Sequence, residues 1–459
     1  MHPVLRGLVA ATAVSACAHA ADMPASVSPD EGWPIGERVL SKYKEGKQKE
    51  VAVEGEAALA KEPWNNELRY AYANSLLWNG REWEATAQYE LLLETEYAVD
   101  ARLGLANSYA WTGRLSEALP HYKMIASDPK VGGEARLGMA NVYLWQGRPD
   151  LALPIYKQLR VDYPTQDTGE EGLYYATRAT RAHTTFGDTY TRDNSPTRRN
   201  EPWASHTWRD SSNAWIFGLY GNVGHDWNPD IPLDLDRREY GVSVENVDWQ
   251  LAPRLNVSRQ QEPHGLTFGE LRIQAISSWP LYVSAGRVNW GKLSFTLPAL
   301  DKGLTANHAG LEGRYNTYYG ELRGFANYWD VSDDNKVENA ELRLTTRWRP
   351  FGPEIRPFVG VHWRGADRTV PDYWSPKNYA LGFGGVEWAW ERRYWSITGL
   401  AQAGFKIAGD ASAAWSFALA GKRWIGDDWA IGLSGYAISG TRQAHYKSEG
   451  ATVTLEKLW

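Results

Sequence analysis

The distribution of apolar positions changes character once along the chain. Between about residues 36 and 165 apolar residues recur at helical spacing, and from about Leu173 onward they alternate with polar ones at a period of two. The helical stretch repeats itself. Trp78-Asn79-Gly80-Arg81, Trp111-Thr112-Gly113-Arg114 and Trp145-Gln146-Gly147-Arg148 recur at spacings of 33 and 34 residues. Ala85, Ala118 and Ala152 each follow the repeated glycine by five positions, and Tyr89, Tyr122 and Tyr156 by nine. Pro63, Pro129 and Pro164 fall at the turns between copies, and Ala101–Ala106 and Ala135–Ala140 are near copies of each other. A repeat of this length is a helix pair that stacks on its neighbours to bury its apolar face. Small residues such as Ala106 and Ala140 let helices approach, tyrosine and tryptophan fill the wider gaps, and each glycine ends the first helix of its pair. A weaker helical stretch at Glu37–Lys61 caps the array.

The second stretch predicts strands. In Glu341–Arg349 one face carries Leu342, Leu344, Thr346 and Trp348, the other Glu341, Arg343, Thr345, Arg347 and Arg349. Ile355, Val359, Val361 and Trp363 likewise oppose Arg356, His362 and Arg364, and Trp395–Phe405 and Trp415–Leu419 supply further apolar faces. About 15 such segments, each near 10–14 residues, follow Leu173, punctuated by turns such as Asp333-Asp334-Asn335 and Gly409-Asp410. A soluble sandwich would use shorter strands and hide its apolar faces. A transmembrane antiparallel barrel needs roughly 9–11 residues per crossing, an apolar exterior and aromatic residues at the ends of the band. Trp279, Trp290, Tyr328, Trp329, Trp388, Trp390, Trp424 and Trp429 lie near predicted strand ends. The barrel is the better account. An even strand number is required, which favours 16 strands, with 14 as the alternative; His206–Arg209 then belongs to a strand that the pattern divides poorly.

The repeats resemble the tetratricopeptide repeat family over about 100 residues, which implies a protein-binding scaffold and no chemistry. The final strand, Ala451 to Trp459, resembles the C-terminal assembly signal of outer-membrane proteins, with Lys457 interrupting its apolar face and Trp in place of the commoner Phe. Together the two halves resemble the outer-membrane export porins of exopolysaccharide systems, such as cellulose and poly-N-acetylglucosamine exporters. Tyr373-Trp374-Ser375-Pro376-Lys377-Asn378-Tyr379 is similar to the Tyr-Phe-Ser-Pro-x-x-Tyr segment of the cellulose-export barrel. Those exporters carry many more repeats than the three visible here. Smaller outer-membrane barrels of the YaiO type are a second resemblance.

Composition agrees with this division. Of 24 Trp in 459 residues, six precede residue 190 and 18 follow residue 200, as expected if the later ones sit at membrane interfaces. A formal net charge of -6 gives no electrostatic case for nucleic-acid binding. Residues 1–20 read as a signal peptide: Arg6, the small or apolar run Gly7–Ala16, then Ala18-His19-Ala20 as a cleavage site. Val14-Ser15-Ala16-Cys17 also resembles a lipobox, which would make Cys17, the single cysteine, a lipid anchor. The expected organisation is a leader (1–20), a periplasmic repeat domain (36–165), a linker (166–172) and an outer-membrane barrel (173–459).

A 16-stranded barrel can keep an aqueous lumen. Alternation assigns Arg272, Arg323, Arg343, Arg347 and Arg356 to that lumen, with Glu270, Glu321 and Glu341 among them. They either hydrate the passage and weakly hold a sugar chain, or pair across strands to stiffen the wall. No His-Glu-x-x-His, Gly-x-Ser-x-Gly or Walker A sequence occurs, and Asp333/Asp334 and Asp427/Asp428 sit in predicted turns, so no enzymatic chemistry, cofactor or metal is expected. The expected partners are outer-membrane lipid, proteins of a polysaccharide synthase complex and the polymer itself. The alternative is a general porin, receptor or structural barrel that recruits a partner through its repeats.

Overall fold

A computed structural model describes residues 34–164, 169–276, 280–352, 354–409, 413–440 and 446–459; the leader, Cys17, Trp279 and Asp410 lie outside the described residues. The chain forms two compact units, divided between Ala179 and Thr180.

The first unit is helical. Its helices are α1 (Ile35–Lys44), α2 (Gln48–Lys61), α3 (Asn66–Trp78), α4 (Glu82–Glu90), α5 (Ala98–Trp111), α6 (Leu115–Ile125), α7 (Gly132–Trp145), α8 (Pro149–Asp162) and α9 (Glu170–Thr180). They pack as successive hairpins of the tetratricopeptide kind, and α1–α2 form the expected cap pair. Gly80, Gly113 and Gly147 end α3, α5 and α7 with φ of 75°, 79° and 76°, a conformation that costs any L side chain. After α3 the Gly80 amide donates to the Leu77 carbonyl (3.2 Å) and the Arg81 amide to the Leu76 carbonyl (2.9 Å), which closes the helix end. Ala85, Ala118 and Ala152 are fully buried where adjacent helices meet.

The repeated tyrosine explains a second repeated glycine. The Tyr89, Tyr122 and Tyr156 hydroxyls donate to Asn74, Asn107 and Asn141 Oδ1 at 2.6, 2.5 and 2.6 Å. The Tyr89, Tyr122 and Tyr156 rings lie against Gly104, Gly138 and Gly172, where an added Cβ would come within 2.3, 2.4 and 2.4 Å of ring atoms or the hydroxyl. Each repeat is therefore locked to the next by a phenol that fills the space left by a missing methyl group.

The second unit is a closed antiparallel barrel of sixteen strands. They are β1 (His183–Asp193), β2 (Arg198–Arg209), β3 (Trp215–Asn228), β4 (Leu233–Asn246), β5 (Arg254–Glu262), β6 (Leu266–Ile276), β7 (Leu281–Asn289), β8 (Thr305–Asn316), β9 (Gly320–Val331), β10 (Asn335–Thr346), β11 (Ile355–Ala366), β12 (Tyr379–Arg392), β13 (Trp395–Ala408), β14 (Ala414–Ile425), β15 (Trp429–Ser439) and β16 (Lys447–Leu458). Consecutive strands are neighbours, and β16 closes on β1 with His183 opposite Leu458 and Asp193 opposite Ser448. The barrel starts at His183, not Leu173: Glu170–Thr180 is helical, its short apolar run too ambiguous for period alone to assign. His206–Arg209 falls within β2, which completes the count of 16.

Closure pairs the backbone all round, and alternation then gives two faces. Phe186, Leu219, Val242, Leu271, Leu342, Val359, Phe417 and Leu433 are among the exposed apolar residues of the outer face. An apolar exterior on a closed antiparallel wall is the form of an outer-membrane barrel. Tyr328, Trp390 and Trp429 lie on this face as expected. Trp290 and Trp329 do not: at 1% and 6% exposure they are packed inside the barrel. Trp424 also alternates to the inner face, since its neighbours Arg423 and Ile425 pair with outer-face Ile431 and Trp429.

The seam between first and last strands is tied at the rim where both begin or end. Asp428 accepts from Arg181 Nη2 (2.7 Å) and Lys457 Nζ (3.0 Å), and Arg181 Nε donates to the Trp459 carbonyl (3.0 Å). Lys457 also lies 5.2 Å over the Trp429 ring, so its charge sits at the end of the apolar band, beside the turn that holds Asp428.

Two outcomes test these contacts. Gly147→Ala, with open space but φ of +76°, should cost about 1 kcal/mol. Gly138→Ala, with its Cβ 2.4 Å from the Tyr122 ring, should cost about 2–3 kcal/mol. Thermal loss of helical circular dichroism in the full chain checks the order. The hydrogen bonds from Arg181 and Lys457 hold the Asp428 carboxyl below its ordinary 3.8. Its tie is thus complete above that ordinary value and is lost as pH falls through the lowered one. Asp428→Asn should remove the corresponding part of the acid-induced fall in the barrel's unfolding temperature, read by heat-dependent gel migration.

Candidate functional site

The lumen face consists of the positions opposite the exposed apolar ones. It receives Arg272 on β6, Arg323 on β9, Arg343 on β10 and Arg356 on β11, with Glu270, Glu321 and Glu341, as alternation predicts. Arg347 is not on the strand face. It follows the last residue of β10, and its amide donates to the Tyr319 carbonyl (2.9 Å) in the adjoining turn.

These charges are matched by neighbours. Arg343 and Arg356 converge on Glu387 of β12, Arg272 Nη2 lies 3.4 Å from Glu312 and Arg323 Nη2 3.1 Å from Glu321. His308 Nδ1 is 3.2 Å from Glu270 and His362 Nδ1 3.4 Å from Glu341. Cross-strand pairing therefore accounts for most of the predicted ring, and the wall carries no uncompensated arginine belt there. Among the described residues no group of three or more His, Cys, Asp or Glu is placed to hold a metal ion.

The lumen is narrowed by a segment that folds inward between β7 and β8. It contains two short helices, α10 (Trp290–Ser294) and α11 (Leu297–Asp301). Asn289 caps α10, its Oδ1 accepting from the Lys292 amide at 3.0 Å, and the Trp290 amide donates to the Leu304 carbonyl at 3.0 Å, so the segment is anchored at both ends. Trp290 packs against Trp329 at 5.6 Å and edge-on to Tyr373 at 5.2 Å, with Val331 and Val337 around them. Leu297 and Leu300 pack on Leu235 of β4. Phe295 carries φ of +62°, disfavoured for an aromatic residue, and the Arg199 guanidinium lies 4.2 Å over its ring.

A buried ionic network ties this segment to β2–β4. Asp226 accepts from both Arg199 and Arg237, Arg237 Nη2 donates to Glu201 at 2.7 Å, and Lys292 Nζ of α10 donates to Glu239 at 2.9 Å with Glu201 at 3.6 Å. Three cations face three anions, so the network is neutral while Asp226 and Arg237 are essentially inaccessible. Gly224 leaves room for it: a Cβ there would lie 2.4 Å from the Arg237 guanidinium.

The Tyr373–Tyr379 segment holds the other side of the constriction. Tyr373 is buried; its hydroxyl donates to Asp333 (3.0 Å) and accepts from Asn335 Nδ2 (3.0 Å). Burial pushes this phenol well above its ordinary value. Ser375 Oγ accepts from the Val370 amide (2.9 Å), and Trp374 meets Tyr379 edge-on at 4.9 Å. Thr296 Oγ1 donates to the Asp372 carbonyl (2.7 Å) and Lys302 Nζ to the Asp372 carboxylate (2.6 Å), which joins the two inward segments. Beside them a cavity of about 520 Å³ is lined by Trp290, Trp329, Phe325, Tyr282, Arg272, Glu312, Asn327, Asn339 and Arg364.

No family model matches this chain, and no curated protein matches it. Among solved structures it is similar to one described as "Bacterial polysaccharide outer membrane secretin", with TM-score 0.49 and 11% identity, over 61% of this chain and 99% of that one. Similarity to Pseudomonas aeruginosa OccK11 (OpdR) has TM-score 0.34 and 10% identity, over 61% of this chain and 96% of that one. A tetratricopeptide repeat protein from Parabacteroides merdae is similar over 32% of this chain and 57% of its own, with TM-score 0.29 and 20% identity.

Sequence pattern alone finds the arginines of the strand faces but misses the inward segment. Arg199, Glu201, Asp226, Arg237 and Glu239 alternate onto the same face, a legible signal, yet nothing local announces that Lys292 reaches Glu239 past β5 and β6 and Glu201 past four strands. The inward segment is signalled only weakly, by Leu-Pro-Ala-Leu-Asp-Lys-Gly between two predicted strands. Lys292→Ala should free α10 from the wall and raise both the mean single-channel conductance and its open-channel noise in planar bilayers. Unchanged conductance would mean that the segment does not limit the passage.

Proposed function

We propose that this chain is an outer-membrane channel for export of a polysaccharide, with its helical repeats binding periplasmic or inner-membrane proteins of the synthesis machinery. The cavity at the constriction carries the reading. The half-buried rings of Tyr282 and Phe325, set on a floor of packed Trp290 and Trp329, suit the C–H faces of sugar rings, while Asn327, Asn339, Arg272 and Glu312 offer hydroxyl partners. Neutral ion pairing along the wall suits a polymer that must slide, because no single charge holds it strongly.

Sixteen antiparallel strands return the chain to the rim where the barrel began. We assign that rim to the periplasm, so that the helical unit, which leads directly into β1, is periplasmic as well. There it can receive a partner through the stacked helix pairs, the usual use of such arrays. The driving force for export would come from that partner, since no nucleotide-binding motif is present in the sequence.

A general porin is the second reading, favoured by a strand number that suits an aqueous channel and by the charge balance of the wall. Deletion of the gene separates the two. Under the export reading secreted polymer disappears while membrane-associated synthesis persists. Normal secretion with altered uptake of small solutes would establish the porin reading instead. In bilayers, neutral oligosaccharides should block the wild-type channel, and Phe325→Ala should weaken that block about tenfold.

A further inference from the structure

The outer wall is uneven, and its low side carries exposed arginines. β3, β4, β12 and β13 have 14 residues each, whereas β5 and β7 have nine. At a rise of about 3.3 Å per residue and a tilt near 40°, a nine-residue strand is roughly 12 Å shorter along the barrel axis. The apolar band shortens with it. Outer-face positions on β13 from Trp395 to Phe405 are all apolar, but on β5 only Leu255 and Val257 precede Arg259, and on β7 Leu281, Val283 and Ala285 precede Arg287. Arg238 follows Val244, Val242 and Tyr240 in the same way on β4.

Register brings the three arginines together. Arg259 pairs with Tyr240, two positions from Arg238, and with Thr267 on its other side. Gly269, the next outer-face residue of β6, pairs with Arg287. Arg259 and Arg287 are exposed, and the Arg238 side chain is 61% exposed. Glu262 lies 3.4 Å from Arg238. Arg259 donates only to Thr267 Oγ1 (2.9 Å) and Arg287 only to Thr305 Oγ1 (3.1 Å), with no carboxylate in ion-pair range of either among the described residues. Arg259 and Arg287 thus differ from the lumen arginines, which meet acids, whereas Arg238 keeps Glu262 beside it.

We infer that Arg238, Arg259 and Arg287 form an outward-facing site for the phosphate groups of an outer-leaflet glycolipid. The site stands at the top of the apolar band, toward the rim opposite the one where β1 begins and β16 ends, which is the extracellular rim under the assignment above. The inference rests on that outer-membrane reading but not on polysaccharide export. A phosphorylated glycolipid supplies both things the surface presents: acyl chains for Leu255, Val257, Leu271 and Val283 below, and anionic oxygens for the guanidinium groups above. The low wall lets the headgroup descend to Arg259 and Arg287 without exposing apolar strand, with Arg238 beside them on the taller β4.

The full-length protein in detergent tests this directly, with purified lipopolysaccharide and its enzymatically dephosphorylated form as probes. Wild-type protein should bind the phosphorylated form about tenfold more tightly. The double variant Arg259→Gln/Arg287→Gln should lose that preference, while Arg423→Gln, on the outer face near the opposite rim, keeps it. Equal binding of both lipid forms by wild-type protein overturns the inference, even if the double variant fails to fold. So does a retained preference in a folded double variant, or a wild-type dimer that the same substitutions dissociate, since the face would then serve a second copy of the chain. Secretion of polymer is a separate readout, and its loss or retention does not bear on the lipid measurement.

Discussion

Backbone hydrogen bonding in a medium without water is the constraint from which the barrel's other properties follow. A strand edge exposed to hydrocarbon would leave a row of polar groups unpaired, so the sheet must close. Closure of β16 on β1 fixes an even strand number and returns the chain to its starting rim. It also forces every side chain to one of two solvents. The period-two pattern is the imprint of that choice: Phe186, Leu342 and Val453 face outward, and Glu270, Arg343 and Glu387 inward.

Within the closed wall the inner charges behave as a structural material. A carboxylate or guanidinium that loses water is stable only when paired, and here the pairing joins strands to one another and an inward segment to the strands. Lys292 with Glu239 and Glu201 is the clearest case, because it couples a short helix to a distant part of the wall. The apolar contacts of Trp290 and Leu297 locate the same segment from the other side. The passage is thus shaped by a polypeptide plug edge, not by the strand residues alone.

The helical unit is governed by a different economy of space. Its stacking depends on the absence of single methyl groups, at Gly104, Gly138 and Gly172, beneath tyrosine rings whose hydroxyls are satisfied by asparagine. Such a lock recurs once per repeat and fixes the position of each repeat on the next along the array.

Much of this was legible in the residues themselves, because periodicity is a local consequence of local geometry. The glycine–arginine repeat predicts helix pairs, alternation predicts both faces of the wall and the lumen placement of Arg272, Arg323, Arg343 and Arg356, and about 15 segments with the even number that closure requires favour 16 strands over 14. Period fails where an element is short or a chain leaves the wall. It placed Glu170–Thr180 partly in the barrel, Arg347 on a strand and Trp290 at a membrane interface. Which arginine meets which carboxylate, and that α10 and α11 turn into the lumen, depend on residues far apart in the chain. Only closure of the sheet brings those residues within a few ångströms of one another.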